Sequence, residues 1–101
     1  YNQLFLAIKE NMFKDLEDLV NLARQRKSNP VKNSYTNKLL EKKLFIKEKV
    51  MEEIGELIES VEKNTNKIHE AADVFYHLII YLEANNININ EVMTELENRK
   101  K

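Results

Sequence analysis

The chain has 101 residues, 33% charged and 43% hydrophobic, with one Gly, one Pro and no Cys. That length holds one domain at most, and the lack of Cys removes disulfide scaffolds, thiolate metal sites and Cys nucleophiles. The net charge of −1 conceals a split: residues 1–49 carry 11 Lys and Arg against 6 Asp and Glu, residues 50–98 carry 2 Lys against 11 acidic residues, and Arg99, Lys100 and Lys101 follow.

A basic part beside an acidic part suits an anionic ligand held through a cation; the alternative is ordinary solvated helix faces. A single Gly excludes most phosphate-binding loops and the tight two-residue hairpins. The longest apolar stretch is too short to span a bilayer, and Tyr1 opens the chain without a signal segment. The expectation is a soluble, cytoplasmic protein with neither membrane nor nucleic acid as partner. The abundance of Asn, Lys and Ile reads as compositional drift. A chain this small buries only about two-thirds of its unfolded surface, a weakness that oligomerisation commonly remedies.

Residues 1–12 read as an N-terminal extension or the tail of an upstream domain, with Asn11 as a break. Residues 13–101 form the domain proper. Met12, Phe13, Leu16, Leu19, Val20 and Ala23 recur at helical steps and predict a helix over 12–27. Ser28 to Asn33 holds the only Pro and reads as a loop. Ser34 is the expected N-cap of a short helix near 35–43, with Leu39 and Leu40 inward. The next helix covers 45–63, its stripe of Ile46, Val50, Ile54, Leu57, Ile58 and Val61 facing a core. Gly55 in its middle is costly for a helix, so close approach of a neighbouring backbone or ligand is expected there. Asn64-Thr65-Asn66 reads as a turn. Ile68, Ala71, Ala72, Phe75, Leu78, Ile79 and Leu82 make 67–84 a central, mostly buried helix. Asn85 to Ile89 is a loop, and Asn90 caps a last helix with Val92, Met93 and Leu96 turned inward. No strand shows convincing alternation. The fold class is all-α: an antiparallel bundle of about four main helices plus one short one.

Glu53 and Glu56 on one helix, and Glu70 and Asp73 on the next, stand at i, i+3. A step of three residues turns a helix by about 300°, so each pair shares a face. Across the Asn64 turn the two pairs can meet. Carboxylates brought together repel unless they are protonated or a cation neutralises them, and carboxylate oxygens suit Mg²⁺. Glu52, Glu53, Glu56 and Glu59 alone read equally well as a solvated face; Glu70 and Asp73 do not, being set in the most apolar helix. His77 lies one turn after Asp73, where a lone His is more often a hydrogen-bonded core-edge residue than a ligand. The Glu-x-x-His pattern of carboxylate-bridged iron bundles fails, because Asn66 and Val74 stand three places before His69 and His77. No Ser-His-Asp order, P-loop or zinc-ligand spacing is present.

The runs Ser34-Tyr35-Thr36, Lys49-Val50-Met51-Glu52-Glu53-Ile54-Gly55-Glu56 and Glu70-Ala71-Ala72-Asp73-Val74-Phe75-Tyr76-His77 resemble the phosphoribosyl-ATP pyrophosphohydrolase family, within the MazG-like all-α nucleoside triphosphate pyrophosphohydrolases. The four-carboxylate pattern marks the superfamily; the S-Y-T and E-A-A-D-x-x-Y-H runs mark the histidine-pathway branch. The resemblance implies hydrolysis of phosphoribosyl-ATP to phosphoribosyl-AMP and pyrophosphate, the second step of histidine biosynthesis. It implies Mg²⁺, with Mn²⁺ as a substitute, on Glu53, Glu56, Glu70 and Asp73, and Glu52 as an outer ligand or as the residue that orients the attacking water. Arg26 and Lys49 would meet phosphates, while Ser34, Tyr35, Thr36 and His77 would form the substrate side. A homodimer completing the bundle is expected, alone or joined to a phosphoribosyl-AMP cyclohydrolase. The chain departs from the family pattern at Met51, where Gly is usual. The alternatives are a house-cleaning pyrophosphohydrolase for another nucleotide and a non-catalytic helical dimerisation module.

Overall fold

The computed structural model describes residues 12–100. They form five helices: α1 (Lys14–Ser28), α2 (Tyr35–Glu41), α3 (Lys43–Lys63), α4 (Lys67–Ala84) and α5 (Ile89–Asn98), with no strand among the described residues. The all-α class is therefore established. Of the expected N-terminal extension 1–12, residues 1–11 lie outside the described residues. No helix of the described residues is long and apolar enough to cross a membrane.

Asparagine does the punctuating work usually given to Gly. Four described non-Gly residues have positive φ, and all are Asn: Asn33, Asn64, Asn66 and Asn86. Asn tolerates the left-handed region better than other side chains because its short amide bonds locally. At the end of α3, Thr65 N–H donates to the Ser60 carbonyl at 2.9 Å and Asn64 N–H to Val61 at 3.3 Å, which is the Schellman pattern. The end of α4 repeats it: Ile87 N–H reaches Leu82 at 2.9 Å and Asn86 N–H reaches Glu83 at 3.1 Å. The Asn content is thus structural at these positions, not drift. Ser34 caps α2 as expected, its hydroxyl accepting from Asn37 N–H at 3.2 Å. The last helix is capped by Asn88, not Asn90: the Asn88 side chain accepts from Asn90 N–H at 2.8 Å.

The short Asn64–Asn66 turn folds α3 and α4 into an antiparallel hairpin with the most extensive helix–helix contact in the molecule. Helix α4 is central, touching α1, α2, α3 and α5. The core lies at one end of this hairpin, where Ala23, Leu39, Leu40, Ile46, Ile80 and Ala84 are buried together with Tyr76 and Tyr81 packed against them.

Three expectations about burial are corrected. Ile54, Ile58 and Val61 are 41%, 55% and 58% exposed, and on α4 Ile68 and Phe75 are 88% and 56% exposed. The apolar stripe of the hairpin is real, but no part of the described chain covers it. Met93 and Leu96 of α5 are likewise exposed rather than turned inward. Around Gly55, a Cβ would meet nothing within 4 Å, so no described neighbour approaches there.

Candidate active site

The acidic site is built where α3 and α4 face each other. Glu53, Glu56 and Ser60 recur along one face of α3, and Glu53 and Ser60 are buried. Glu70 sits in the first turn of α4, where the helix dipole favours a carboxylate. Glu52, Glu53 and Glu56 offer oxygens that all lie within 4.8 Å of one another, as do ligand atoms of His69, Glu70 and Asp73. Glu56 joins the two groups. Its carboxyl, on an exposed residue, is pushed up from 4.5 to about 7, first by its hydrogen-bond contact with Glu53 and the Glu53 charge, then by partial desolvation and Glu70. The structure therefore brings Glu53, Glu56 and Glu70 together directly, and Asp73 enters through Glu70.

Two oxygens of this cluster, Glu53 Oε2 and Glu70 Oε2, are buried with no hydrogen-bond donor. Buried polar atoms are normally satisfied, and an orphaned carboxylate oxygen is costly. The protein alone can offer them only a proton on Glu56. A hard divalent cation offers more, and an all-carboxylate oxygen set is the donor chemistry Mg²⁺ prefers. The residues present fit the ion. His69 Nε2, 3.3 Å from Asp73 Oδ2, stands at the margin and was not foreseen, although its i, i+4 spacing to Asp73 is visible in the sequence.

A cationic and hydroxyl-bearing side adjoins the acids. Lys49 Nζ lies 3.4 Å from Glu52 Oε2 and 3.5 Å from Glu53 Oε1. Burial works against the Lys49 charge, but the Glu52 and Glu53 carboxylates outweigh it and hold the amine above its ordinary value. Tyr35 is raised by burial, countered by Lys49, and feels Glu53 and Glu52 as well, which places the start of α2 beside the carboxylate helix. Arg26 at the end of α1 donates from Nη1 to Ser34 Oγ at 2.8 Å.

Two expected substrate residues are turned inward. Thr36 is 6% exposed and shares a 2.6 Å hydrogen bond with the Tyr76 hydroxyl. His77 is 5% exposed with both ring nitrogens engaged. Nδ1 faces the Asp73 carbonyl at 2.8 Å, so it carries the hydrogen, and in the neutral ring Nε2 accepts from the Tyr35 hydroxyl at 3.0 Å. His77 thus links the backbone of Asp73 to Tyr35, which also stacks on Tyr76 with ring centroids 6.3 Å apart. Tyr76, which the sequence shows only as part of the E-A-A-D-x-x-Y-H run and without a site role, belongs to this network, and Asn37 did not stand out in the sequence.

Carboxylates from a helical hairpin, with Lys49 beside them on an all-α scaffold, are what an α-helical nucleotide pyrophosphohydrolase of the MazG-like kind would present. A family model described as phosphoribosyl-ATP pyrophosphohydrolase matches residues 13–100. The chain is 40% identical over 90 residues to a Clostridium novyi protein named phosphoribosyl-ATP pyrophosphatase, covering 85% of this chain and 81% of that one. It is 37% identical over 90 residues to the protein of that name from Listeria welshimeri, covering 84% of each. A Pyrococcus furiosus protein named histidine biosynthesis bifunctional protein HisIE is 38% identical over 94 residues, which span 90% of this chain but 42% of that relative. The chain belongs to the phosphoribosyl-ATP pyrophosphohydrolase family. No solved structure matches it.

Proposed function

We propose that this protein hydrolyses phosphoribosyl-ATP to phosphoribosyl-AMP and pyrophosphate in the cytoplasm, in the second step of histidine biosynthesis. The observation that carries the reaction class is the pair of orphaned carboxylate oxygens, Glu53 Oε2 and Glu70 Oε2, buried between α3 and α4 beside Lys49. The family and the named relatives carry the substrate.

Mg²⁺ held by Glu53, Glu56, Glu70 and Asp73, with Mn²⁺ as a substitute, supplies Lewis-acid polarisation and charge neutralisation at the phosphates. The chain's own residues do the rest. Arg26 and Lys49 bind phosphate oxygens, Arg26 with a fork suited to two of them. Glu52, exposed beside Glu53, orients the water that attacks a phosphorus of the α–β bridge. One phosphorus–oxygen bond forms to that water and one bridge bond breaks. Ser34 and Tyr35 face the nucleotide, with Tyr35 held in place by His77 and Thr36 held away from the ligand by Tyr76.

The active form is a homodimer, with a second copy covering Ile54, Ile58, Val61, Ile68 and Phe75. A phosphoribosyl-AMP cyclohydrolase acts next, either as a separate protein or on the same chain, as the word bifunctional in the Pyrococcus relative's name suggests. The test is incubation with Mg²⁺ and phosphoribosyl-ATP beside a panel of canonical nucleoside triphosphates, with products identified by mass spectrometry. Preferential release of phosphoribosyl-AMP and pyrophosphate is expected. Turnover of the canonical panel alone assigns a house-cleaning role instead, and no turnover at all leaves a helical dimerisation module.

A further inference from the structure

We infer that Asn37 is the positioning residue of the phosphate-binding side, acting through Arg26 and Ser34; the inference rests on the role proposed above for Arg26. Asn37 is 4% exposed, and its amide is engaged through both its nitrogen and its oxygen. Nδ2 donates to the Arg26 carbonyl at 2.8 Å, and Oδ1 accepts from Val31 N–H at 2.9 Å. Its backbone N–H donates to Ser34 Oγ at 3.2 Å, the same oxygen that Arg26 Nη1 reaches at 2.8 Å. The last turn of α1 and the loop after it therefore meet on the Asn37 side chain, and the cap of α2 meets its backbone N–H.

The reason lies in Pro30. An α-helical carbonyl is normally met by the N–H four residues on. For Arg26 that residue is Pro30, which has no N–H. The carbonyl sits in the final turn of α1, where intrahelical partners run out. The Asn37 amide supplies the missing donor from across the loop and returns an acceptor to Val31. Arg26 is thus fixed at its backbone by the Asn37 side chain and at its guanidinium by Ser34, whose hydroxyl accepts from the Asn37 backbone N–H. Remove the side-chain amide, and Ser34 keeps its bond from the Asn37 backbone N–H, but the Arg26 backbone loses its anchor across the loop, so the guanidinium is carried on a looser turn; the carboxylate cluster on α3 and α4, which Asn37 does not touch, stays as it was.

A double-mutant cycle tests this. Asn37→Ala removes both bonds; Asn37→Asp keeps the acceptor for Val31 and removes the donor to Arg26, and carries the test if the Ala variant fails to fold. Each should raise the KM for phosphoribosyl-ATP about tenfold, equivalent to about 1.4 kcal/mol, with kcat changed less than about twofold. In an Arg26→Ala background the same changes should move KM by no more than about twofold, as expected of coupled positions. An equal KM rise in both backgrounds, or a loss confined to kcat, overturns the role. The cycle is repeated on the Kd for inorganic pyrophosphate with Mg²⁺, by calorimetry. Coupling there without wild-type turnover removes the reaction and keeps Asn37. Turnover without coupling removes Asn37 and keeps the reaction. Absence of coupling in both measurements overturns the positioning role whatever the substrate.

Discussion

Replacing Glu53 by Gln separates charge from shape in the acidic cluster. Glu53 is 6% exposed; Oε1 lies 3.5 Å from Lys49 Nζ, and Oε2 has no donor. Gln keeps the volume and an acceptor toward Lys49, and it brings an N–H to the side where only carboxylates stand. Relieving an unsatisfied buried acceptor is worth about 1–3 kcal/mol. Against this stands the weakened Lys49 pair; it is partly buried, but Lys49 is not left unpaired, keeping Glu52 at 3.4 Å and the Gln carbonyl as acceptor, so the loss is about 1 kcal/mol. The metal-free variant should therefore be more stable than wild type by about 1 kcal/mol, or about 4–8 °C for a domain of this size. Mg²⁺ should reverse the order. Wild type gains about 2.7 kcal/mol at a hundredfold excess over Kd, about 10–20 °C by the same conversion, whereas the variant gains little and loses turnover. Thermal melts at pH 8 in EDTA and in Mg²⁺ read both effects. A metal-free Glu53→Gln protein melting below metal-free wild type refutes the orphaned cluster, and equal Mg²⁺ stabilisation of the two refutes Glu53 as a ligand.

Three further outcomes follow from the same geometry. Glu56 is pushed up from 4.5 to about 7, chiefly by its contact with Glu53 and the Glu53 charge; the folded metal-free protein holds a proton that the unfolded chain has released, so this stabilisation is full below pH 4.5 and lost as pH rises through 7. Relative to wild type in EDTA, Glu56→Gln should gain in melting temperature between pH 5 and pH 8, and a flat difference removes the claim. Arg26→Ala and Lys49→Ala should each raise KM or lower kcat/KM with little change in melting; unchanged kinetics in both variants ends their phosphate role. Light scattering at micromolar concentration should give a dimer mass for the wild type and a monomer mass for Ile58→Glu combined with Phe75→Glu, whereas a wild-type monomer sinks the dimer.

Periodicity read the helices well where punctuation was local. The expected helix over 67–84 matches α4 because Asn64 to Asn66 closes one side and Asn85 and Asn86 the other. It misplaced the last cap because four Asn residues compete between 85 and 90, and the choice of Asn88 depends on an extended backbone that composition does not reveal. The i, i+3 spacing of Glu53 with Glu56 found the acidic face, since that relation is set within one helix. Thr36 and His77 were harder. Thr36 fits a ligand or a core equally, and His77 reads more often as a hydrogen-bonded core-edge residue than as a ligand; only the Tyr76 and Tyr35 partners on distant elements decide. Asn37 was invisible for the same reason: its value comes from a carbonyl that Pro30 leaves without a donor.

The exposed apolar stripe follows from the geometry of α3 rather than from a failure of packing. Each residue turns the helix by about 100°. Glu53, Glu56 and Ser60 therefore share one side, while Ile54, Ile58 and Val61 share another that is rotated well away from it. The first side is committed to α4, where Glu53 and Glu56 meet Glu70. The second side then points away from α4 by necessity, and α1, α2 and the core lie toward the other end of the hairpin. One helix cannot turn both faces to the same neighbour. A hairpin that closes on its acids leaves Ile54, Ile58 and Val61 uncovered by the described chain, and Ile68 and Phe75 on α4 are exposed as well. Apolar area of this kind, exposed along both arms of one hairpin, is what a self-complementary two-fold contact buries.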